Sequence, residues 1–296
     1  MKTLVVLVGF AAFAFSTLFA QPLTDRYASQ GTMIVTALPS APFPHPKRAE
    51  GHVYDGKTYS AEDHYRDSTV AIFVPRGYRA GGATDLIVYF HGWFNNVDSV
   101  FAQYHLVEQL MASGKNAVLV VVQGPRNAPD SFGGKLEDTD GFQRLISDVT
   151  DVLVRRNIAQ DQSVGSIILA GHSGAYHVMS FILMHGGLTD HIKEVYLFDA
   201  LYGQTEKFTW WLEHSQGKFI DIYTPEGGTK TGSEELQQEL ATWKMPFIAK
   251  KEADITTADL KNNRIIFIDS PLQHNDVVSA QSQLSQYLRA SCLADR

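Results

Sequence analysis

The sequence is expected to fold as an α/β protein built on a doubly wound, mostly parallel sheet, and three observations carry that expectation. Apolar runs such as residues 86–90 and 117–122 contain no polar alternation, which is the pattern of strands covered on both faces. Segments with helical spacing separate these runs, so successive strands are joined by crossovers. The chain of 296 residues is 44% hydrophobic and 19% charged, enough apolar surface for a sizeable core and unlike disordered, collagenous or coiled-coil chains.

The first residues read as a secretory signal peptide over 1–20. Lys2 precedes an apolar run from Leu4 to Phe15, and Ala20 offers a small residue for cleavage before Gln21-Pro22. The run is shorter than the roughly 20 residues that span a bilayer, although an uncleaved anchor is the competing reading. Residues 21–50 carry Pro39, Pro42, Pro44 and Pro46 and are expected to form an extended arm. Two β-branched and aromatic runs, near 52–59 and 68–74, are expected as antiparallel edge strands, so that 21–67 forms an arm with edge strands ahead of the main domain at 68–296.

Within that domain the run 86–90 gives the first buried strand. A helix follows over 97–113, with Val100, Tyr104, Val107 and Leu110 on one face and Gly114 placed to end it. A strand at 117–122, a helix at about 141–156 and a strand at 166–170 come next, and another helix begins near Ser173. Further strands are expected at 194–198, 218–223 and 264–269, with a last helix over 276–289. Residues 204–215, with Trp210 and Trp211, and 233–250, with Trp243, read either as excursions over the sheet's C-terminal edge or as ordinary packing helices.

The formal charge of −7 argues against a nucleic-acid partner. The single cysteine, Cys292, rules out an intramolecular disulfide and a cysteine-based metal cluster. His45, His52 and His64 are too widely spaced to suggest zinc, and Gly81-Gly82 and Gly133-Gly134 lack the strand-to-helix setting of phosphate loops. No metal or cofactor is therefore expected.

The chemistry is concentrated in Ile167-Ile168-Leu169-Ala170-Gly171-His172-Ser173-Gly174-Ala175, an apolar strand running into a sharp turn and then a helix. A serine at such a turn is held in a strained conformation with its hydroxyl projecting into a cleft, and small neighbours let strand and helix approach. A helix-capping serine is the plainer alternative.

In Gly171, His172 and Ser173 the chain resembles the α/β-hydrolase superfamily, whose nucleophile elbow is Gly-x-Ser-x-Gly; Ala175 replaces the last glycine with the next smallest residue. The resemblance extends in element order over roughly residues 68–290. It implies an exported serine hydrolase, esterase- or lipase-like, that cleaves an ester or amide of a small-molecule or peptide substrate through an acyl-enzyme on Ser173. A catalytically inactive fold serving as a binding module is the rival.

The same resemblance assigns roles elsewhere. His91-Gly92-Trp93, after the 86–90 strand, matches the turn that contributes half of an oxyanion hole: Trp93 or Phe94 would offer one backbone N–H and Gly174 the other. His274, in the loop after the last apolar strand, matches the catalytic base. Two carboxylates compete for the acid. Asp199 closes the strand after the nucleophile helix, as in pancreatic-type lipases, and is preferred; Glu226 follows the next strand, the commoner location. Asp276 lies too near His274 in sequence for easy geometry. His172 and His177 flank the elbow and either line the pocket or pack in the core.

Overall fold

Side chains alternate strictly along the central strands, and the two faces they create divide the core. Leu86, Val88 and Phe90 fall in one apolar cluster, while Ile87 and Tyr89 fall in another on the opposite side. The computed structural model describes residues 21–296; the expected signal peptide at 1–20 lies outside the described residues. The strands are β1 (Gly31–Ala37), β2 (His52–Tyr54), β3 (Lys57–Tyr59), β4 (Thr69–Pro75), β5 (Thr84–Phe90), β6 (Val118–Val122), β7 (Val164–His172), β8 (Ile192–Phe198), β9 (Lys218–Tyr223), β10 (Ile248–Lys251) and β11 (Ile265–Asp269). Nine of them form one sheet in the order β1-β4-β6-β5-β7-β8-β9-β11-β10. Only the β1–β4 and β4–β6 pairs are antiparallel; the β5–β6 and β5–β7 pairs and all those beyond are parallel.

Helices cover both faces, which makes the sheet doubly wound as expected. On one side lie α3 (Gly141–Arg155), α4 (Tyr176–His185), α5 (Thr205–His214) and α6 (Lys230–Thr242), whose Leu145, Met179, Trp211 and Leu236 join the first cluster. On the other lie α1 (Val97–Gln103), α2 (Leu106–Ser113), α7 (Thr257–Asn262) and α8 (Gln283–Arg289), contributing Phe101, Leu110, Leu260 and Leu288. No helix of the described residues is long and apolar enough to cross a membrane.

Several elements differ from the sequence reading, each for a local reason. The expected helix over 97–113 is two helices, because His105 adopts φ +49° between them. Gly114, at φ +73°, ends α2 as expected. The last helix is shorter than 276–289: residues before Gln283 form turns, and Ser282 sits at φ +58°. The segment 204–215 is a packing helix, with Trp211 fully buried against the sheet, whereas 233–250 divides between α6, which buries Leu236 and Leu240, and the start of β10, with Trp243 45% exposed between them. The strand β10 escaped notice because only four residues form it, two of them lysines.

The N-terminal part is more closely built in than an arm. The β1 strand pairs along its whole length with β4 and takes the sheet edge, so the run at 68–74, expected at an edge, lies one strand inside. The β2–β3 hairpin forms its own small sheet. Phe43, Tyr59 and Tyr65 pack with Ala128 and Phe132 in a third apolar cluster, and Arg48 makes two bonds to Asp130, at 2.7 and 3.1 Å. The loop after β6 is thereby clamped by residues that precede the main domain.

Candidate active site

Strand order reverses around β5 and β6, and in such sheets the crevice beyond the carboxyl ends of the strands is where sites form. His91-Gly92-Trp93 leaves the end of β5 and Ser173 the end of its neighbour β7. Ser173 has φ +56°, a left-handed conformation that costs a non-glycine residue about 1–2 kcal/mol. The bend is possible because Gly171 has no side chain: a Cβ there would lie 2.5 Å from the Met179 sulfur and 2.7 Å from the Ala175 Cβ. The absent Cβ of Gly171 thus makes room for the methyl of Ala175. Gly92 is matched to the serine in the same way, since a Cβ on it would lie 2.6 Å from the Ser173 Cβ.

His274 Nδ1 donates to Asp199 Oδ2 at 2.6 Å. Asp199 has no exposed surface and follows directly on β8. Its Oδ1 accepts from the Thr224 N–H at 3.0 Å and from the Thr229 hydroxyl, and its Oδ2 accepts from the Thr224 hydroxyl at 2.7 Å. Burial alone would push this carboxyl up, but the bonds from His274, Thr229 and Thr224 outweigh it and hold it below the ordinary carboxylate value. The loop wraps so closely that a Cβ on Gly227 would lie 1.7 Å from Asp199 Oδ2. The loop carrying Glu226 therefore supplies the cradle of Asp199, while Glu226 itself is exposed and, among the described residues, has no hydrogen bond to His274.

The His–Gly turn is braced from behind. Burial lowers the His91 pKa, and its Nε2 accepts from the Gly124 N–H and the Gln123 amide, both at 2.9 Å. The ring proton is then on Nδ1, which donates to the Gly92 carbonyl at 2.8 Å. A trans peptide directs its N–H opposite to its C=O, so the Trp93 N–H points away from His91. Of the two expected donors in this turn, Phe94 is removed, because its N–H donates to the Ala128 carbonyl at 3.1 Å.

Ser173, Gly174, Trp93, His172 and His274 line one cavity of about 670 Å³, together with Ser131, Tyr176 and Tyr202. Its outer wall is aromatic: Trp93 is 38% and Phe94 58% exposed, and Tyr54 of the β2–β3 hairpin meets Trp93 edge-on at 5.1 Å.

No family model matches the chain, and no curated protein matches it. Solved structures do resemble it. A mutant of the feruloyl esterase module from Clostridium thermocellum, complexed with sinapinate, superposes with a TM-score of 0.53 at 10% identity, covering 94% of this chain and 93% of that one. A ferulic acid esterase gives a TM-score of 0.54 at 10% identity over 88% and 98% of the two chains. The fluorophosphonate-binding serine hydrolase FphF of Staphylococcus aureus gives 0.51 at 10% identity over 88% and 99%. The chain has the α/β-hydrolase fold.

Within the α/β-hydrolase fold, Ser173, His274 and Asp199 come from three separate strand ends, β7, β11 and β8, and converge at one edge. His172 lines the cavity, one of the two parts its sequence position suggested, but turns neither ring nitrogen toward it. It is 2% exposed, and burial together with the neighbouring His274 pushes it down to about 3, so the ring is neutral. Its Nε2 donates to the backbone carbonyl of His274 at 2.8 Å and its Nδ1 accepts from the Tyr104 hydroxyl at 3.0 Å. With both nitrogens committed, it braces the loop of His274 and offers the cavity no donor. His177 is turned to Glu137, at 2.8 Å. Sequence reasoning missed Ser131 and Tyr202, and no motif marks either; Tyr202 donates to the Gly227 carbonyl from a position on the cavity wall.

Proposed function

We propose that this protein is an exported serine hydrolase that cleaves an ester, or secondarily an amide, through an acyl-enzyme on Ser173. The observation that carries the reading is the 2.6 Å contact of the buried Asp199 with His274, which lines a single cavity with the left-handed Ser173. The esterase and serine hydrolase names of the structural neighbours favour the same bond class. Export rests on the apolar leader at 1–20.

In this mechanism Asp199 fixes the proton of His274 on Nδ1, which leaves Nε2 free to accept the Ser173 proton as the oxygen attacks the carbonyl carbon. The negative oxygen of the tetrahedral intermediate accepts from the Gly174 and Trp93 N–H groups. His274 then protonates the leaving alcohol, and water, activated by the same imidazole, releases the acid. His172 stays neutral throughout the working range and holds the His274 backbone in place.

A fluorophosphonate probe together with p-nitrophenyl acetate hydrolysis tests the reading. The wild type should be labelled and active, and Ser173→Ala should lose both. Absence of labelling and turnover in folded wild type would sink it and favour a binding role for the fold.

A further inference from the structure

The acyl-transfer reading accounts for Gly174 and Trp93 but leaves a side chain in the same cavity without a task. We propose, resting on that reading, that Ser131 is a third donor to the substrate oxygen that becomes negative in the tetrahedral intermediate.

Trp93 Nε1 donates to Ser131 Oγ at 2.7 Å. An indole N–H is a donor only, so Ser131 is the acceptor in this contact and its own hydrogen must be aimed elsewhere. Among the described residues no protein group accepts that hydrogen, and Ser131 faces the cavity that holds Ser173.

Its position relative to the reacting centre is close. A Cβ built on Gly174 would lie 2.7 Å from Ser131 Oγ, so the hydroxyl overhangs the residue whose N–H is assigned to the oxyanion. Donation by the indole polarises the hydroxyl and strengthens what it in turn can donate.

The support is rigid on both sides. Asp130 is gripped by Arg48 at 2.7 and 3.1 Å and accepts from the Phe132 N–H at 3.0 Å, and Phe132 is anchored in the aromatic cluster with Phe43 and Tyr65. A donor held this way needs no reorganisation when charge develops, which is the condition under which such donors contribute most.

In the step itself Ser173 Oγ bonds to the carbonyl carbon and gives its proton to His274, while the carbonyl π pair moves to oxygen. That oxygen accepts from Gly174, Trp93 and Ser131, and Ser131 keeps its proton. Collapse restores the carbonyl and expels the alcohol, which takes the proton from His274.

Kinetics of p-nitrophenyl acetate hydrolysis, and inhibition by an aryl trifluoromethyl ketone that forms a tetrahedral adduct, test this with Ser131→Ala, Ser131→Thr and Trp93→Phe. Ser131→Ala should lower kcat by about tenfold to a hundredfold with KM within about twofold, and weaken the ketone by a similar factor. Ser131→Thr should restore most of the loss. Trp93→Phe should lower kcat less, by about threefold to tenfold, and have no further effect once Ser131 is alanine. A wild-type kcat in Ser131→Ala, a change confined to KM, or a loss that threonine does not repair would overturn the proposal. An active wild type with an unaffected Ser131→Ala removes only this role; a folded wild type that neither turns over nor labels removes the hydrolase reading with it.

Discussion

The two walls of the cavity are built on opposite principles. On the side of Asp199 and His274 the polar atoms are tied into the protein: the carboxylate accepts from Thr224, Thr229 and His274, and His172 holds the His274 backbone from a fully committed ring. On the side of Trp93, Phe94 and Ser131 the surface is aromatic and open, and hydrogen-bond donors face the cavity with no protein acceptor assigned to them. In the proposed mechanism the first wall fixes the geometry of proton transfer before a substrate arrives. The second is completed by the substrate, so its groups are expected to act on binding and on transition-state charge.

Substitutions on the two walls should therefore differ in kind and in size. The largest effect is expected at the closed wall. Asp199→Asn should cut kcat by about a thousandfold to ten-thousandfold, because the amide cannot hold the His274 proton in the required place. Glu226→Gln, on the same loop system but exposed, should leave kcat unchanged. Comparable losses in both variants would break the distinction between the acid and its cradle. At the open wall Phe94→Ala should raise KM by about threefold to tenfold for an ester with a large apolar acyl group, through lost apolar contact. A loss expressed in kcat alone would move Phe94 into the closed wall.

How far these walls were legible beforehand follows from how local their causes are. Strand β9 was read over its full extent, and β5 and β7 were recognisable in the apolar runs; the turn at Ser173 was marked by the small residues Gly171, Gly174 and Ala175. The choice between Asp199 and Glu226 could not be made locally, because it depends on Thr224, Thr229 and Gly227 folding round one carboxylate. The strand β1 was hidden by the prolines that follow it, although its run Thr32-Met33-Ile34-Val35-Thr36 has strand composition; its partner is 38 residues or so further along. Ser131 lies in a loop without regular spacing, and only the indole of Trp93 across the cavity gives it meaning.

A smaller effect compares two buried aspartates, Asp199 just past the end of β8 and Asp221 within the adjacent β9. Asp199 is held below its ordinary value by its donors, whereas burial pushes Asp221 up to about 7, with Oδ2 accepting from Ser233 at 2.6 Å and Oδ1 without a partner. A folded-state value above the unfolded one means that the native protein binds the extra proton between about 3.8 and 7, so the Asp221 contribution to stability falls as pH rises through that window. Asp221→Asn should flatten this slope and raise the melting temperature at pH 8 by a few degrees, the gain vanishing toward pH 4. Asp199 works in the other direction, adding stability above its unfolded value that is lost as acid protonates it. An unchanged slope in Asp221→Asn would mean that Asp221 does not titrate in this window.

The central claim, a covalent intermediate on Ser173, is tested most directly by intact-protein mass after rapid acid quenching of the enzyme with p-nitrophenyl acetate, followed by peptide mapping. The account predicts one added acetyl group, located on the peptide containing Ser173 and absent from Ser173→Ala. Turnover by the wild type without any adduct, or an acetyl group mapped to another residue and persisting in Ser173→Ala, would contradict it.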